Sequence, residues 1–165
     1  MSCCTINGAT RPKRAVLDTD TWNEIDDQFA LAYALLAPEC LDMRAVVAAP
    51  FSNRRAATPG EGMRKSYGEI TRILGLFGRA AENFAWRGSE SYLADRRTPV
   101  DSEGARKIVE LAYDAHASGG RLYVLAIAAL TNVASALLIA PEIAEQIAVR
   151  WKPYLDRYGY EKPSE

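Results

Sequence analysis

The chain reads as five short apolar runs separated by stretches in which apolar residues recur every three or four positions. The short runs predict strands and the longer period predicts helices. Arg14 to Asp18 is the first strand, short and partly β-branched. A polar loop, Asp20 to Ile25, leads into a helix running to Leu36, which Pro38 stops. Asp26 or Asp27 is placed to cap this helix, because a carboxylate accepts from its free N–H groups and suits its dipole. Phe29, Ala32, Tyr33 and Leu36 form one apolar stripe. Ala30, Leu31, Ala34 and Leu35 make the rest apolar too, so burial on most sides is expected.

Met43 to Ala49 is nearly continuous in apolar residues, as in a parallel strand covered on both faces. A loop, Pro50 to Gly60, then gives way to a helix over Glu61–Phe77, with Met63, Tyr67, Ile70, Leu74 and Phe77 at spacings of three and four. Phe84 to Trp86 is a short strand, and Gly88 to Pro99 a loop. Asp101 or Ser102 opens a helix to Ala117, ended by Gly119-Gly120. Leu122 to Ala128 is a strand, Thr131 to Ile139 a helix, Pro141 to Gln146 a short helix, and Ile147 to Trp151 a last strand. Strand–helix alternation with short connections predicts an α/β fold: an open, mostly parallel, Rossmann-like sheet with helices on both faces. Ligands bind such sheets outside the carboxyl ends of the strands. The acidic loop, the Pro50–Gly60 loop and the Ala128–Thr131 turn are therefore expected on one rim.

The organisation that follows is a lead over residues 1–13, one α/β domain over 14–151, and an irregular tail over 152–165. At 165 residues the chain suits a single domain with a real core. Its net charge of -1 gives no global attraction to nucleic acid or to an anionic membrane. No apolar run is long enough to cross a bilayer, and the amino terminus lacks the apolar stretch of a signal peptide. The three cysteines, Cys3, Cys4 and Cys40, show neither a disulfide framework nor zinc spacing. That fits a reducing cytoplasm, with Cys40 an inert packed thiol.

The chemistry concentrates in Asp18, Asp20, Glu24, Asp26 and Asp27. Helix capping accounts for one of these aspartates, or at most two. It does not account for an aspartate at the end of a buried strand with further acids following. Carboxylates that close repel unless a proton or a cation sits among them, and a hard cation wants several carboxylate or carbonyl oxygens. The segment therefore reads as a divalent-metal site. Glu24 is either an additional contact or simply exposed. His116, the one histidine, falls near a helix end and reads as a surface residue pairing with the helix dipole.

Two acid patterns compare with it. Asp18-Thr19-Asp20-Thr21-Trp22 partly resembles the haloacid-dehalogenase-type phosphohydrolases, but Trp22 stands where threonine or valine belongs. A fuller match is to the inosine/uridine-preferring nucleoside hydrolases. Their DxDxGxDDxxAL signature resembles Asp18-Thr19-Asp20 followed by Asp26-Asp27-Gln28-Phe29-Ala30-Leu31, with a longer loop between. Their strand running into a Leu-Thr-Asn-(Ile/Val)-Ala turn is similar to Val124 to Ala134, centred on Leu130-Thr131-Asn132-Val133-Ala134.

That resemblance implies an N-glycosyl hydrolase that splits ribonucleosides into ribose and base with the help of Ca2+. It implies that Asp20 binds the metal and acts as general base, that Asp27 is a second calcium ligand, and that Thr131 offers its main-chain carbonyl. Asp26 would hold a ribose hydroxyl, Asn53 would lie near the ribose, and Asp18 would orient the loop. The resemblance spans Arg14 to about Trp151 and matches the family's amino-terminal half, since such enzymes run to roughly twice this length. A truncated domain binding only metal or ribose is the alternative implied. Half a sheet is also expected to expose an apolar edge and to self-associate, giving a homo-oligomer.

Overall fold

The computed structural model describes residues 12–151. The expected lead (but for its last two residues) and the expected tail lie outside these. Five strands form one sheet: β1 (Lys13–Thr19), β2 (Leu41–Ala48), β3 (Ala85–Arg87), β4 (Leu122–Ala126) and β5 (Ile147–Trp151). Their order is β3-β2-β1-β4-β5, with every pair parallel. Four helices connect them, α1 (Ile25–Leu36), α2 (Pro59–Leu76), α3 (Glu103–Ala117) and α4 (Thr131–Ile139), with a 3-10 turn at Pro141–Glu145. This is the α/β sheet expected from the sequence.

The reversal of strand order falls between β1 and β4. There the chain leaves the sheet in opposite directions, opening the crevice at which such sheets bind ligands. β1 is central and its side chains from Ala15 to Thr19 are buried. Two apolar layers flank it. One contains Val16, Val47, Ile108, Leu122, Val124 and Ile143, and the other contains Leu17, Leu31, Val46, Met63, Ile70 and Leu74. Alternate residues of each strand feed opposite layers, as the two-residue period requires.

The helix ends follow their residues. Thr58 Oγ1 accepts from Glu61 N while Glu61 Oε2 accepts from Ala57 N, a near-reciprocal cap that starts α2 two residues earlier than expected. Ser102 Oγ accepts from Ala105 N to open α3. Gly119 ends the turn after α3 with a φ of +72°, which suits glycine.

Three expectations need correction. Glu24 takes the N-cap position of α1 without a side-chain cap bond, and Asp26 and Asp27 lie inside the first turn. Neither aspartate is the N-cap, although both still face the positive end of the helix dipole. Second, α1 is not buried on most sides. Its inward residues are Asp27, Leu31 and Ala34, while Phe29 is 69% exposed and Leu36 68% exposed. Turning Asp27 inward, where Thr19 bonds it, forces Leu31 and Ala34 inward one and two turns later. The opposite stripe then faces water. Third, Cys40 takes part in a disulfide rather than remaining a free thiol. The cysteine pattern therefore no longer argues for a reducing compartment. Among the described residues no helix is long and apolar enough to cross a membrane.

Candidate active site

The expected rim exists, and hydrogen bonds close it. At the carboxyl end of β1, Thr19 O accepts from Ala49 N at 2.8 Å, and Asp18 O accepts from Ile127 N at 2.9 Å. These bonds bring the ends of β2 and β4 against the start of the acidic loop. The loop is also tied sideways. Asn53 Nδ2 donates to Asn23 Oδ1 at 2.6 Å, and the Arg55 guanidinium donates to Asn23 O at 2.8 Å. Asn23 in turn donates from Nδ2 to Asp20 Oδ2 at 2.9 Å. A run of side chains thus leads from the loop after β2 to the carboxyl group of Asp20.

Asp20 and Asp27 meet in this corner. Both are buried, at 8% and 5% exposure, and their carboxyl groups lie within hydrogen-bond reach of each other. Burial pushes both pKa values upward, Asp27 to about 7, and the charges of neighbouring carboxylates add to this. Thr19 Oγ1 donates to Asp27 Oδ2 at 2.6 Å and opposes the rise. That hydroxyl has one proton, so the 3.0 Å contact between Thr19 and Thr21 is a donation from Thr21. Asp26 and Glu24 are exposed on the same loop and helix start.

Asp18 sits one layer deeper and is fully buried. Its Oδ1 accepts from Asn132 Nδ2 at 2.8 Å, and its Oδ2 has no hydrogen-bond partner. Burial, with a contribution from the Asp20 charge, pushes its pKa up to about 7 against the pull of the Asn132 amide. Thr131, the first residue of α4, is buried beside Asn132. The structure therefore brings Asp18, Asp20, Asp26, Asp27 and the Thr131 turn to one end of one strand pair. Asn53 reaches the group through Asn23, from an exposed loop.

Three residues join the site that the sequence did not single out. Asn132 is fully buried and bonds β1, β2 and the segment after β3 at once. Ser89, also fully buried, donates to Asn132 Oδ1 from its backbone N at 2.7 Å and from Oγ at 2.8 Å. Asn23 connects Asp20 with Asn53. The available signal was that Asn132 lies inside the Leu-Thr-Asn turn.

Elsewhere, His116 lies in the last turn of α3, exposed and at the far end of the sheet. It borders a cleft of about 600 Å3 with Lys13, Arg14 and Arg121. None of the candidate acids reaches that cleft.

No protein-family model matches the sequence, and no curated protein matches it. Solved structures do. The chain is similar to the purine-preferring ribonucleoside hydrolase from Gardnerella vaginalis, with a TM-score of 0.61 and 21% identity, covering 84% of this chain and 48% of that one. An inosine-guanosine nucleoside hydrolase matches with a TM-score of 0.58 and 19% identity over 84% of this chain and 47% of its own. A plant nucleoside hydrolase matches with a TM-score of 0.55 and 21% identity, covering 85% and 47%. The chain spans about half the length of these proteins. At such identities the likeness establishes the fold alone, so the chain has a partial nucleoside hydrolase-like fold.

Proposed function

We propose that this site hydrolyses the N-glycosidic bond of ribonucleosides, using a calcium ion held by Asp20, Asp27 and the main-chain carbonyl of Thr131. The observation that carries this reading is the meeting of the Asp20 and Asp27 carboxyls in a buried corner at the switch point of the sheet. Two carboxyls pressed together there favour a proton or a cation between them. The donors are all oxygen, which suits calcium, and calcium takes more ligands than three, leaving positions for water and ribose hydroxyls. Among the described residues no group of three or more His, Cys, Asp or Glu converges as a metal cluster. The proposed set has two such side chains and is completed by a carbonyl and by substrate.

When bound, calcium would orient a water and lower its pKa. Asp20 would take a proton from the attacking water as general base. Asn23 donates to its Oδ2 and so fixes the orientation of the carboxyl group. Thr19 fixes Asp27 by its short bond, so Asp27 keeps a constant orientation as a ligand. Asp26, exposed one residue earlier, accepts from a ribose hydroxyl. Asn53 uses one amide proton on Asn23 and one lone pair on Arg55 N. One donor and one acceptor remain for the sugar. Breaking the bond builds positive charge on the ribose ring, which nearby carboxylates stabilise.

A second reading is a domain that binds cation or ribose without turnover. It draws support from the coverage, since the matched proteins are about twice as long as the part shared with this chain. One assay set separates the two. Inosine, guanosine and uridine are offered with calcium and with chelator, and base release is followed. Calcium-dependent release abolished by Asp20→Ala supports hydrolysis. Calcium binding without release supports the second reading, and turnover of phosphate esters with magnesium overturns both.

A further inference from the structure

We propose that Asn132 is a positioning residue for the cation-binding corner, locking Asp18 and the Thr131 turn into register with Asp20. This rests on the calcium reading given above. Asn132 is fully buried and every hydrogen-bonding position of its amide is used. Nδ2 donates to Asp18 Oδ1 at 2.8 Å and to Ala48 O at 3.3 Å. Oδ1 accepts from Ser89 N at 2.7 Å and Ser89 Oγ at 2.8 Å. Those partners stand at the ends of β1 and β2 and just after β3. One side chain from α4 therefore fixes three strand ends.

Its place in the chain gives this arrangement a functional direction. Thr131, the proposed carbonyl donor, is the residue before it. Asp18 is two residues before Asp20. Among the described residues, the Asn132–Asp18 bond is the only side-chain hydrogen bond between α4 and β1. This amide thus adds a side-chain lock to the β1–β4 backbone pairing that aligns the two segments that would supply cation oxygens. The packing permits little slack. A Cβ on Gly88 would stand 2.0 Å from Ala48 O and 2.4 Å from Asn132 Nδ2. The Gly88 backbone therefore presses directly against the amide. A fully bonded amide in a dry site holds orientation as well as distance, and groups that orient metal ligands typically govern affinity about 10- to 100-fold.

The test uses the full chain and calcium alone as the probe. Calcium dissociation constants are measured by titration calorimetry for the wild type, Asn132→Ala and Ser89→Ala. Measurements are made at a temperature where circular dichroism shows each variant folded. The expected result is calcium affinity at least tenfold weaker in Asn132→Ala, and a smaller loss in Ser89→Ala, which keeps the backbone donor. A purely architectural role would lower the melting temperature and leave the affinity of the folded protein unchanged. That result overturns the proposal. If Asn132→Ala does not fold, Ser89→Ala decides by the same criterion. A wild type that binds no calcium overturns the cation reading itself, and with it this inference.

Discussion

Asn132 Nδ2 stands 2.8 Å from Asp18 Oδ1 and joins two residues 114 positions apart in the chain. Removing the amide strands a fully buried carboxyl group and the two Ser89 donors. Each orphaned buried group costs about 1–3 kcal/mol. Asn132→Ala is therefore expected to lose about 3 kcal/mol of stability. Ser89→Ala, which deletes one hydroxyl donation, is expected to lose about 1 kcal/mol. Urea unfolding midpoints at constant slope measure both, and an Asn132→Ala midpoint equal to wild type would refute the assignment.

The buried acids make stability depend on pH in an unusual sense. Asp18 has a folded pKa of about 7, above its ordinary value of 3.8. Between these values the folded state binds the extra proton, so stability falls as pH rises through the window. For Asp18 alone the loss is of the order of a few kcal/mol. The upward shifts of Asp20 and Asp27 act in the same direction. Calorimetry without calcium should show the melting temperature declining from about pH 5 to pH 8. Asp18→Asn keeps an acceptor for Asn132 and removes the charge. Its profile should be flatter, and it should be more stable than wild type at pH 8. A wild-type melting temperature that rises over this range would contradict the burial argument.

Gly88 offers a steric check on the same junction. Any side chain there meets the backbone oxygen of Ala48 and the Asn132 amide, neither of which can swing away cheaply. Gly88→Ala should destabilise by about 2 kcal/mol or more through overpacking. Gly68 has nothing within 4 Å of its added Cβ and lies inside α2. Gly68→Ala should stabilise by about 0.5–1 kcal/mol. Thermal unfolding of the two variants should move in opposite directions.

The outward stripe of α1 carries Ile25, Phe29 and Leu36, each between 68% and 69% exposed. With Trp22 at 45% exposure it makes an apolar band beside the acidic loop. Bands of a few hundred Å2 mark association surfaces. Two copies packing these stripes together would bury roughly 1,000 Å2, the lower bound of a specific interface. Concentration-dependent association is expected in sedimentation velocity, and Phe29→Asp should return the protein to monomer. Association that survives Phe29→Asp would instead point to the β5 edge, which pairs only with β4 among the described residues.

The strands were legible because each is a short apolar run bounded by polar or glycine residues. Leu122–Ala126 and Leu41–Ala48 fall within two residues of expectation. The facing of α1 was not legible. Nearly all of its positions are apolar, so periodicity could not choose a side. The choice follows from Asp27, which the Thr19 hydroxyl draws inward. In the site, charge made the aspartates visible, since an acid cluster needs an explanation in any fold. Asn132, Ser89 and Asn23 are neutral and common; the partners of Asn132 lie 43 to 114 residues away, and Asn23 matters because it links Asp20, three residues away, to Asn53, thirty away. Local sequence carries no trace of such distances.

The separation between Asp18 and Asn132 also sets an order of events during synthesis. The acidic loop lies near the start of the chain, yet its scaffold needs β4 paired beside β1 and the first turn of α4 in place. Until residue 126 has been made, the first strand has only one of its two neighbours, and until residue 132 has been made Asp18 lacks its amide partner. Contacts of such range are costly to close and form late. A ribosome-bound intermediate ending before β4 would hold α1 and α2 against an unfinished sheet, with the acids hydrated and ionised at neutral pH. Completion of a single helical turn then withdraws them together into the corner.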